Sequence, residues 1–93
     1  MGNDTIAVGT GNDVITLTGG TNSVTSGDGN DTVNLSTGSD SVTTGSGDDN
    51  VVAGAGNNTI NTGADDDQVN LTGGTNDLNT GTGNDQVTVS GGN

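Results

Sequence analysis

SGDGNDTV, at residues 26–33, contains the pattern around which the whole chain is organised. It places two glycines, an acidic turn and a β-branched residue within eight positions. Related stretches end in Asp13, Asp49, Asp67 and Asp85, so that the final Asp, which is Asp31 in this stretch, recurs every 18 residues. Self-similarity at a fixed period of this size predicts a chain of stacked coils.

Composition excludes several classes of function. The 93 residues suffice for one domain, and the 12 Asp without any Lys, Arg or His give a formal charge of −12. Without basic residues we expect no binding to nucleic acid and none to anionic membranes. No His or Lys is present to activate the plentiful Ser and Thr hydroxyls. We therefore predict no enzyme, no catalytic residue and no small-molecule substrate.

The balance of charge and hydrophobicity raises the question of how this chain folds. Apolar residues make up only 24% of it, and no residue is aromatic, Cys or Pro. Low hydrophobicity combined with charge of one sign is typical of disordered segments. If the chain folds, something must therefore offset the repulsion between its carboxylates.

Blocks of nine residues, counted from Gly2, keep three positions in phase along the chain. Nine of the ten blocks begin with Gly, the third position is always Asp or Asn, and the fifth is always aliphatic. Every second block has a further apolar residue at its seventh position, at Leu17, Leu35, Ala53, Leu71 and Val89. The structural unit is thus 18 residues with two different halves, and residues 1–93 form one domain of ten nonapeptides without distinct caps.

Short segments that alternate with period two, rich in β-branched residues and separated by Gly-x-Gly or Gly-Gly, predict short strands joined by tight turns. Stacked coils would align two aliphatic ladders, Ile6-Val24-Val42-Ile60-Leu78 and Ile15-Val33-Val51-Val69-Val87. We predict an all-β fold, namely a parallel β-roll or β-solenoid with two short-stranded sheets, about five coils and a length of roughly 24 Å.

The turns resemble the calcium-binding β-roll of the RTX (repeats-in-toxin) family, whose nonapeptide is GGxGxDxUx with U aliphatic. Residues 27–33 fit from the second Gly through U, as do residues 9–15, 45–51 and 81–87, and the resemblance covers essentially the whole chain. Two features depart from the motif. Asp65 replaces its fourth-position Gly, and its first Gly is replaced by Val8, Ser26, Thr44, Thr62 and Thr80. The resemblance implies a right-handed coil that folds on binding calcium, in a protein secreted by the type I route.

The resemblance also implies a metal site between each pair of neighbouring turns. The side-chain ligands would be Asp13, Asp31, Asp49, Asp67 and Asp85. Backbone carbonyls would come from Gly9, Thr10, Gly11, Gly27, Asp28, Gly29, Gly45, Ser46, Gly47, Gly63, Ala64, Gly81, Thr82 and Gly83. The four gaps predict about four Ca²⁺ ions, which would move the formal charge from −12 to −4. Asp also favours turns without any metal, but a plain turn would accept Asn as well, and the strict Asp here therefore favours a metal.

The alternate turns carry Asp4, Asn22, Asp40, Asn58 and Asn76, and no gap between them pairs two Asp residues. Because calcium affinity depends on ligand charge, we expect a stacked amide ladder with weak or no calcium binding on this side. Calcium on both sides is the alternative.

Three functions compete. The first is a calcium-dependent structural module, extracellular if natural; with no signal peptide and no partner domain in the sequence, we expect a fragment, a consensus-like design or a building block. The second is end-to-end self-assembly through uncapped coils. The third is ice binding, since Thr10-Gly11-Asn12 and Thr82-Gly83-Asn84 resemble turns of RTX-like antifreeze domains. Outward residues would then present Thr and Asn, at Thr16, Asn34, Val52, Asn70 and Thr88 on one face and Thr25, Thr43, Asn61 and Asn79 on the other.

Overall fold

The structure, a computed structural model, describes residues 2–91 and contains ten short strands in that range. The odd-numbered strands are β1 (Thr5–Ala7), β3 (Ser23–Thr25), β5 (Ser41–Ser46), β7 (Thr59–Ala64) and β9 (Asp77–Asn79). The even-numbered strands are β2 (Val14–Leu17), β4 (Thr32–Thr37), β6 (Asn50–Ala55), β8 (Gln68–Thr72) and β10 (Gln86–Ser90). Each coil therefore contributes one odd and one even strand.

Both sheets are parallel and have five strands, in the orders β1-β3-β5-β7-β9 and β2-β4-β6-β8-β10. Every strand pairs with the strand one coil later in a register of 18 residues, as in Val24 with Val42 and Val33 with Val51. The predicted all-β solenoid with about five 18-residue coils is confirmed. The described part of the chain holds no helix that is long and apolar enough to cross a membrane.

The core is a thin aliphatic column between the sheets. Val33, Val51 and Val69 are 0% exposed, and they form the middle of one predicted ladder. Val24 and Val42 lie in the facing ladder and are equally inaccessible to solvent. In the last coil, β10 pairs with β8 in the predicted register. Its side chains are nevertheless not buried, because within residues 2–91 β10 has a neighbouring strand on one side only. Its Val87 and Val89 are 43% and 47% exposed.

Within each coil, the interior is apolar on one side and polar on the other. The seventh-position residues of the even strands are aliphatic, and Leu35, Ala53 and Leu71 are all buried. The residues at the same position in the odd half-coils carry hydroxyl groups, at Ser26, Thr44 and Thr62, and these are buried without any exposed surface. The hydroxyls precede the turns at 27–31, 45–49 and 63–67, so the interior is polar behind those turns.

Candidate metal centre

The turns at 9–13, 27–31, 45–49, 63–67 and 81–85, which we name the Asp edge, need glycine for two reasons. Gly27 and Gly29 have φ angles of 98° and 125°, a region that is strained for other residues. A Cβ atom on either would also overlap the carbonyl oxygen of Gly9 or Gly11 in the preceding coil. These carbonyls thus reach across the gap between coils, where their oxygens could coordinate a cation.

The Asp side chains of this edge form a ladder along the stack. The backbone N–H of Asp13 donates to Oδ1 of Asp31 at 2.9 Å, and that of Asp31 donates to Oδ1 of Asp49 at 2.8 Å. The N–H groups of Asp49 and Asp67 continue the ladder to Asp67 and Asp85, at 3.0 Å each. Each carboxylate thus spans one gap and uses one oxygen to do so.

Three carboxylates of this ladder, and that of Asp13 at its start, leave a buried oxygen without a partner. Oδ2 of Asp13, Asp31, Asp49 and Asp67 is buried and receives no hydrogen bond from residues 2–91. Asp31 is 1% exposed, and Asp49 and Asp67 are 2% exposed. Burying a charged acceptor without a donor or a cation is costly, and nearly all buried polar groups avoid it. The Asp edge therefore holds a row of anionic oxygens that lack a counter-charge.

Burial raises the pKa of Asp49 above its ordinary value; the backbone of Asp31 and the nearby hydroxyl of Thr44, which donates its hydrogen bond to the Thr62 carbonyl, oppose this rise, and the charges of Asp67 and Asp31 add to it. Burial likewise raises the pKa of Asp67, against the backbone of Asp49 and the hydroxyl of Thr62. Both shifts have the sign expected for carboxylates held in a poorly solvated row. A cation in the gaps would reverse them.

The opposite turns, which carry Asp4, Asn22, Asp40, Asn58 and Asn76 and are named here the Asn-rich edge, have the same ladder. The N–H of Asn22 donates to Oδ1 of Asp40 at 2.9 Å, and the N–H of Asp40 donates to Oδ1 of Asn58 at 3.0 Å. The N–H groups of Asp4 and Asn58 make the equivalent bonds to Asn22 and Asn76, at 3.0 Å each.

On the Asn-rich edge the second side-chain atom is a donor, and it is used. Nδ2 of Asn22 donates to the carbonyl of Gly19 at 3.1 Å and to Oδ1 of Asp40 at 3.0 Å. Nδ2 of Asn58 donates to Oδ1 of Asn76 at 3.1 Å and approaches the carbonyl of Gly54 at 3.4 Å. The Asn22 and Asn58 amides of this edge therefore use in hydrogen bonds the side-chain atom that on the Asp edge lacks a partner.

The predicted carbonyl ligands fall into two groups. Those of Gly9, Gly11, Gly27, Gly29, Gly45 and Gly63 reach across a gap to a glycine of the next coil, and the Gly63 carbonyl also accepts the N–H of Thr82 at 2.9 Å. Those of Asp28, Ser46 and Ala64 already accept an N–H group from the preceding coil, at 2.9, 2.9 and 3.2 Å, which leaves one lone pair free. Thr10, Gly47, Gly81, Thr82 and Gly83 lie in the same turns. Within residues 2–91 no three acidic side chains converge to hold a metal, so a gap would supply two carboxylates and backbone oxygens.

Asp65 follows the path of the glycines that it replaces. It has a φ angle of 85°, and its Oδ2 accepts the N–H of Gly47 at 3.0 Å. A Cβ atom on Gly83 would overlap the carbonyl oxygen of Asp65, so this carbonyl reaches the next gap as the glycine carbonyls do. The turn thus keeps its backbone geometry despite the departure from the motif.

Sequence reasoning missed a second ladder, on the outside of the Asp edge, that runs in the opposite direction. The N–H of Asn30 donates to Oδ1 of Asn12, and the N–H of Asp48 donates to Oδ1 of Asn30, at 2.9 Å each. Asp66 and Asn84 continue it. The sequence contains a signal for this ladder, because the second position of the five nonapeptides on the Asp edge is always Asn or Asp.

Parallel stacking, an 18-residue coil and a row of glycine-rich Asp turns define a β-solenoid with one acidic edge. A family model, the RTX calcium-binding nonapeptide repeat (4 copies), matches residues 1–33, 34–69 and 43–78, and the chain belongs to this family. The family is a structural calcium-binding repeat and not an enzyme family. Comparisons with curated proteins and with solved structures gave no match.

Proposed function

We propose that the chain is a calcium-binding structural module that folds when about four Ca²⁺ ions occupy the gaps of the Asp edge, as the oxygen-only chemistry of calcium sites allows. The observation that carries this proposal is the row of buried, unpartnered Oδ2 atoms at Asp13, Asp31, Asp49 and Asp67. These four carboxylates and that of Asp85 lie on either side of the four gaps. Asp31, Asp49 and Asp67 would each serve two ions.

The ligand set in each gap suits calcium. The gap between the first two coils is bordered by Asp13 and Asp31, and the carbonyls of Gly9 and Gly11 reach across it. Calcium takes six to eight oxygen ligands in flexible geometry, so further carbonyls of the turns and water would complete its shell. Nitrogen and sulfur ligands are absent from the side chains of the edge, which disfavours zinc and copper.

The distribution of charge supports coupling between calcium binding and folding. Nine of the 12 Asp residues lie on the Asp edge, at Asp13, Asp28, Asp31, Asp48, Asp49, Asp65, Asp66, Asp67 and Asp85. Four Ca²⁺ ions would therefore reduce the formal charge of this edge from −9 to −1. Without them, stacking the coils brings like charges together in a protein whose apolar core is thin, and the unfolded chain is favoured.

The Asn-rich edge has no comparable need for calcium. Its amides donate to the Gly19 carbonyl and to the neighbouring side chains that would otherwise be ligands. We therefore place the calcium ions on the Asp edge alone.

Circular dichroism during a calcium titration tests the proposal. We expect disordered chain in chelator, conversion to β-structure with calcium, and about four ions per chain by isothermal titration calorimetry. A chain that is already β-structured in chelator would refute the coupling, and one that binds no calcium would refute the function.

The sharing of ligands is tested by D49N, which should weaken two adjacent gaps at once because Asp49 borders both. D85N is the matched control, since Asp85 borders only the gap to Asp67 within residues 2–91. Equal losses of calcium affinity in the two variants would contradict shared ligation.

For the 93-residue chain taken by itself, end-to-end association is a second candidate. The exposed Val87 and Val89 of β10, at 43% and 47%, favour it, because they continue two interior ladders. Sedimentation in calcium distinguishes monomers from filaments, and a monomer at all protein concentrations would end this idea. RTX repeats occur in secreted proteins, and we infer an extracellular, calcium-rich setting.

A further inference from the structure

The buried hydroxyl column of the odd half-coils is not explained by calcium binding. Ser26, Thr44 and Thr62 are 0% exposed and occupy the position where the RTX motif has its first Gly. Each hydroxyl donates to the carbonyl of the next residue in the column. The distances are 3.3 Å from Ser26 to Thr44, 2.9 Å from Thr44 to Thr62 and 3.1 Å from Thr62 to Thr80.

These hydrogen bonds lie directly behind the gaps of the Asp edge. The hydroxyl of Thr44 is beside the carboxylate of Asp49, and that of Thr62 is beside the carboxylate of Asp67. The bond from Thr44 to the Thr62 carbonyl joins the same two coils as the Asp49–Asp67 gap. Each bond therefore joins two coils immediately behind a gap of the Asp edge.

We propose that Thr44 and Thr62 are specificity-determining residues, whose hydrogen bonds fix the separation of the coils and thereby fit the gaps to Ca²⁺ rather than to a larger divalent cation. The inference rests on the proposed calcium function. Selectivity among hard cations depends on the size and the flexibility of the cavity. A gap whose two walls are joined by a buried hydrogen bond cannot widen without breaking that bond.

The first coil provides an internal comparison. Val8 occupies the same column, is partly buried and packs against the core. The Asp13–Asp31 gap therefore lacks the hydroxyl bond that the later gaps have. Val8 also shows that an aliphatic, β-branched side chain fits the column, so that Thr→Val removes the hydroxyl with little change in shape.

The test compares folding induced by Sr²⁺, which is larger than Ca²⁺, with folding induced by Ca²⁺. Both are measured for the wild-type chain and for the double variant T44V/T62V. The measured quantity is the ratio of the Sr²⁺ to the Ca²⁺ concentration at the midpoint of folding. The intrinsic stability of the fold affects both midpoints alike and cancels in this ratio. One ordinary hydrogen bond corresponds to about a fivefold change at each of the two affected gaps, which lowers the midpoint ratio of a four-ion transition by about twofold. We expect T44S/T62S to keep the wild-type ratio.

Two control variants lie on the same strand, β5. T43V changes an exposed Thr, and V42A weakens the buried core. We expect V42A to shift both midpoints together and both controls to keep the wild-type ratio. An unchanged ratio in T44V/T62V would overturn the inference while leaving the calcium function intact.

If the double variant does not fold with either ion, V8T tests the effect of the hydroxyl bond on the choice between Sr²⁺ and Ca²⁺. It adds a hydroxyl beside the carbonyl of Ser26 at the one gap that lacks this bond. We expect the Sr²⁺/Ca²⁺ ratio to rise, and an unchanged or lower ratio would overturn the inference. A wild-type chain that responds to neither ion would overturn the proposed function together with this one.

Discussion

The Asp edge and the Asn-rich edge have the same backbone ladder, and in three of the five coils, at Asn22, Asn58 and Asn76, they differ in one side-chain atom. On both edges an N–H group donates to Oδ1 of the residue 18 positions later, at 2.9 Å for Asp13 to Asp31 and 3.0 Å for Asp4 to Asn22. The second atom of Asn22 is a donor that reaches the Gly19 carbonyl, whereas the second atom of Asp31 is an acceptor without a partner. At Asn22 and Asp31 one atom thus determines whether the side chain donates a hydrogen bond or leaves a buried acceptor without a partner.

The two edges also differ in their charge. Nine Asp residues lie on the Asp edge and two, Asp4 and Asp40, lie on the Asn-rich edge, while Asp77 starts β9 on an outer face. The formal charge is therefore concentrated on one side of the parallel stack. On the other side, amide hydrogen bonds of Asn22 and Asn58 join neighbouring coils.

The largest effect is expected from making the Asp edge resemble the Asn-rich edge. In D31N/D49N/D67N three buried, unpartnered oxygens become amide donors. We expect the calcium response to disappear and the calcium-free fold to gain at least about 3 kcal/mol, at roughly 1 kcal/mol for each acceptor. Circular dichroism and chemical unfolding in chelator measure both effects.

The charge-matched control for that variant is D28N/D48N/D66N. It removes three carboxylates from exposed positions of the same edge. We expect the control to keep its calcium response. If it folds without calcium as readily as D31N/D49N/D67N does, then repulsion alone, and not the unpartnered oxygens, makes the chain depend on calcium.

The reverse conversion should have a somewhat smaller effect. N22D places a carboxylate between Asp4 and Asp40 and gives two gaps of the Asn-rich edge a pair of carboxylates. In chelator we expect a loss of about 1–3 kcal/mol, because the bonds from Nδ2 to Gly19 and Asp40 are lost. With calcium we expect additional bound ions by calorimetry. An unchanged number of ions would show that one carboxylate atom does not suffice to create a site.

Sequence sufficed for the repeat and for the contrast between Asp and Asn turns, but not for the partners of each side-chain atom. The period of 18 could be read from Leu17 and Leu35 and from the strict Asp column, and it fixed the register of both sheets. The burial of Thr44 follows from the period-two alternation that also buries Val42, but its bond to the Thr62 carbonyl could not be read from the sequence. Whether Oδ2 of Asp49 finds a donor depends on atoms a full coil away, which no local pattern specifies.

The pH dependence of folding should have opposite signs with and without calcium. Burial raises the pKa of Asp49 and Asp67 above 3.8, so the calcium-free fold holds their protons more tightly than the unfolded chain does. The stability contributed by these protons is complete below the unfolded pKa and is lost as the pH rises through the folded pKa. In chelator we therefore expect more β-structure as the pH falls towards about 4.

In calcium the protons compete with the ion for the same oxygens, so stability should fall as the pH is lowered over the same range. Circular dichroism between about pH 4 and pH 7, with calcium and with chelator, measures how the fraction of folded chain changes with pH under each condition. Slopes of the same sign would contradict a common site for protons and calcium. D31N/D49N/D67N should lose both slopes.

The smallest expected effect concerns Asp65, where the Asp edge departs from its glycine pattern. D65A keeps the φ angle of 85° without the bond from Oδ2 to Gly47, and we expect a loss of about 1 kcal/mol in saturating calcium. D65G loses the same bond but relieves the backbone, and it should stay within about 0.5 kcal/mol of wild type. G47A should cost more than D65A, because its new Cβ would overlap the Gly29 carbonyl. Denaturant unfolding in calcium measures all three, and equal stabilities for D65A and D65G would show that the positive φ at this turn carries no cost.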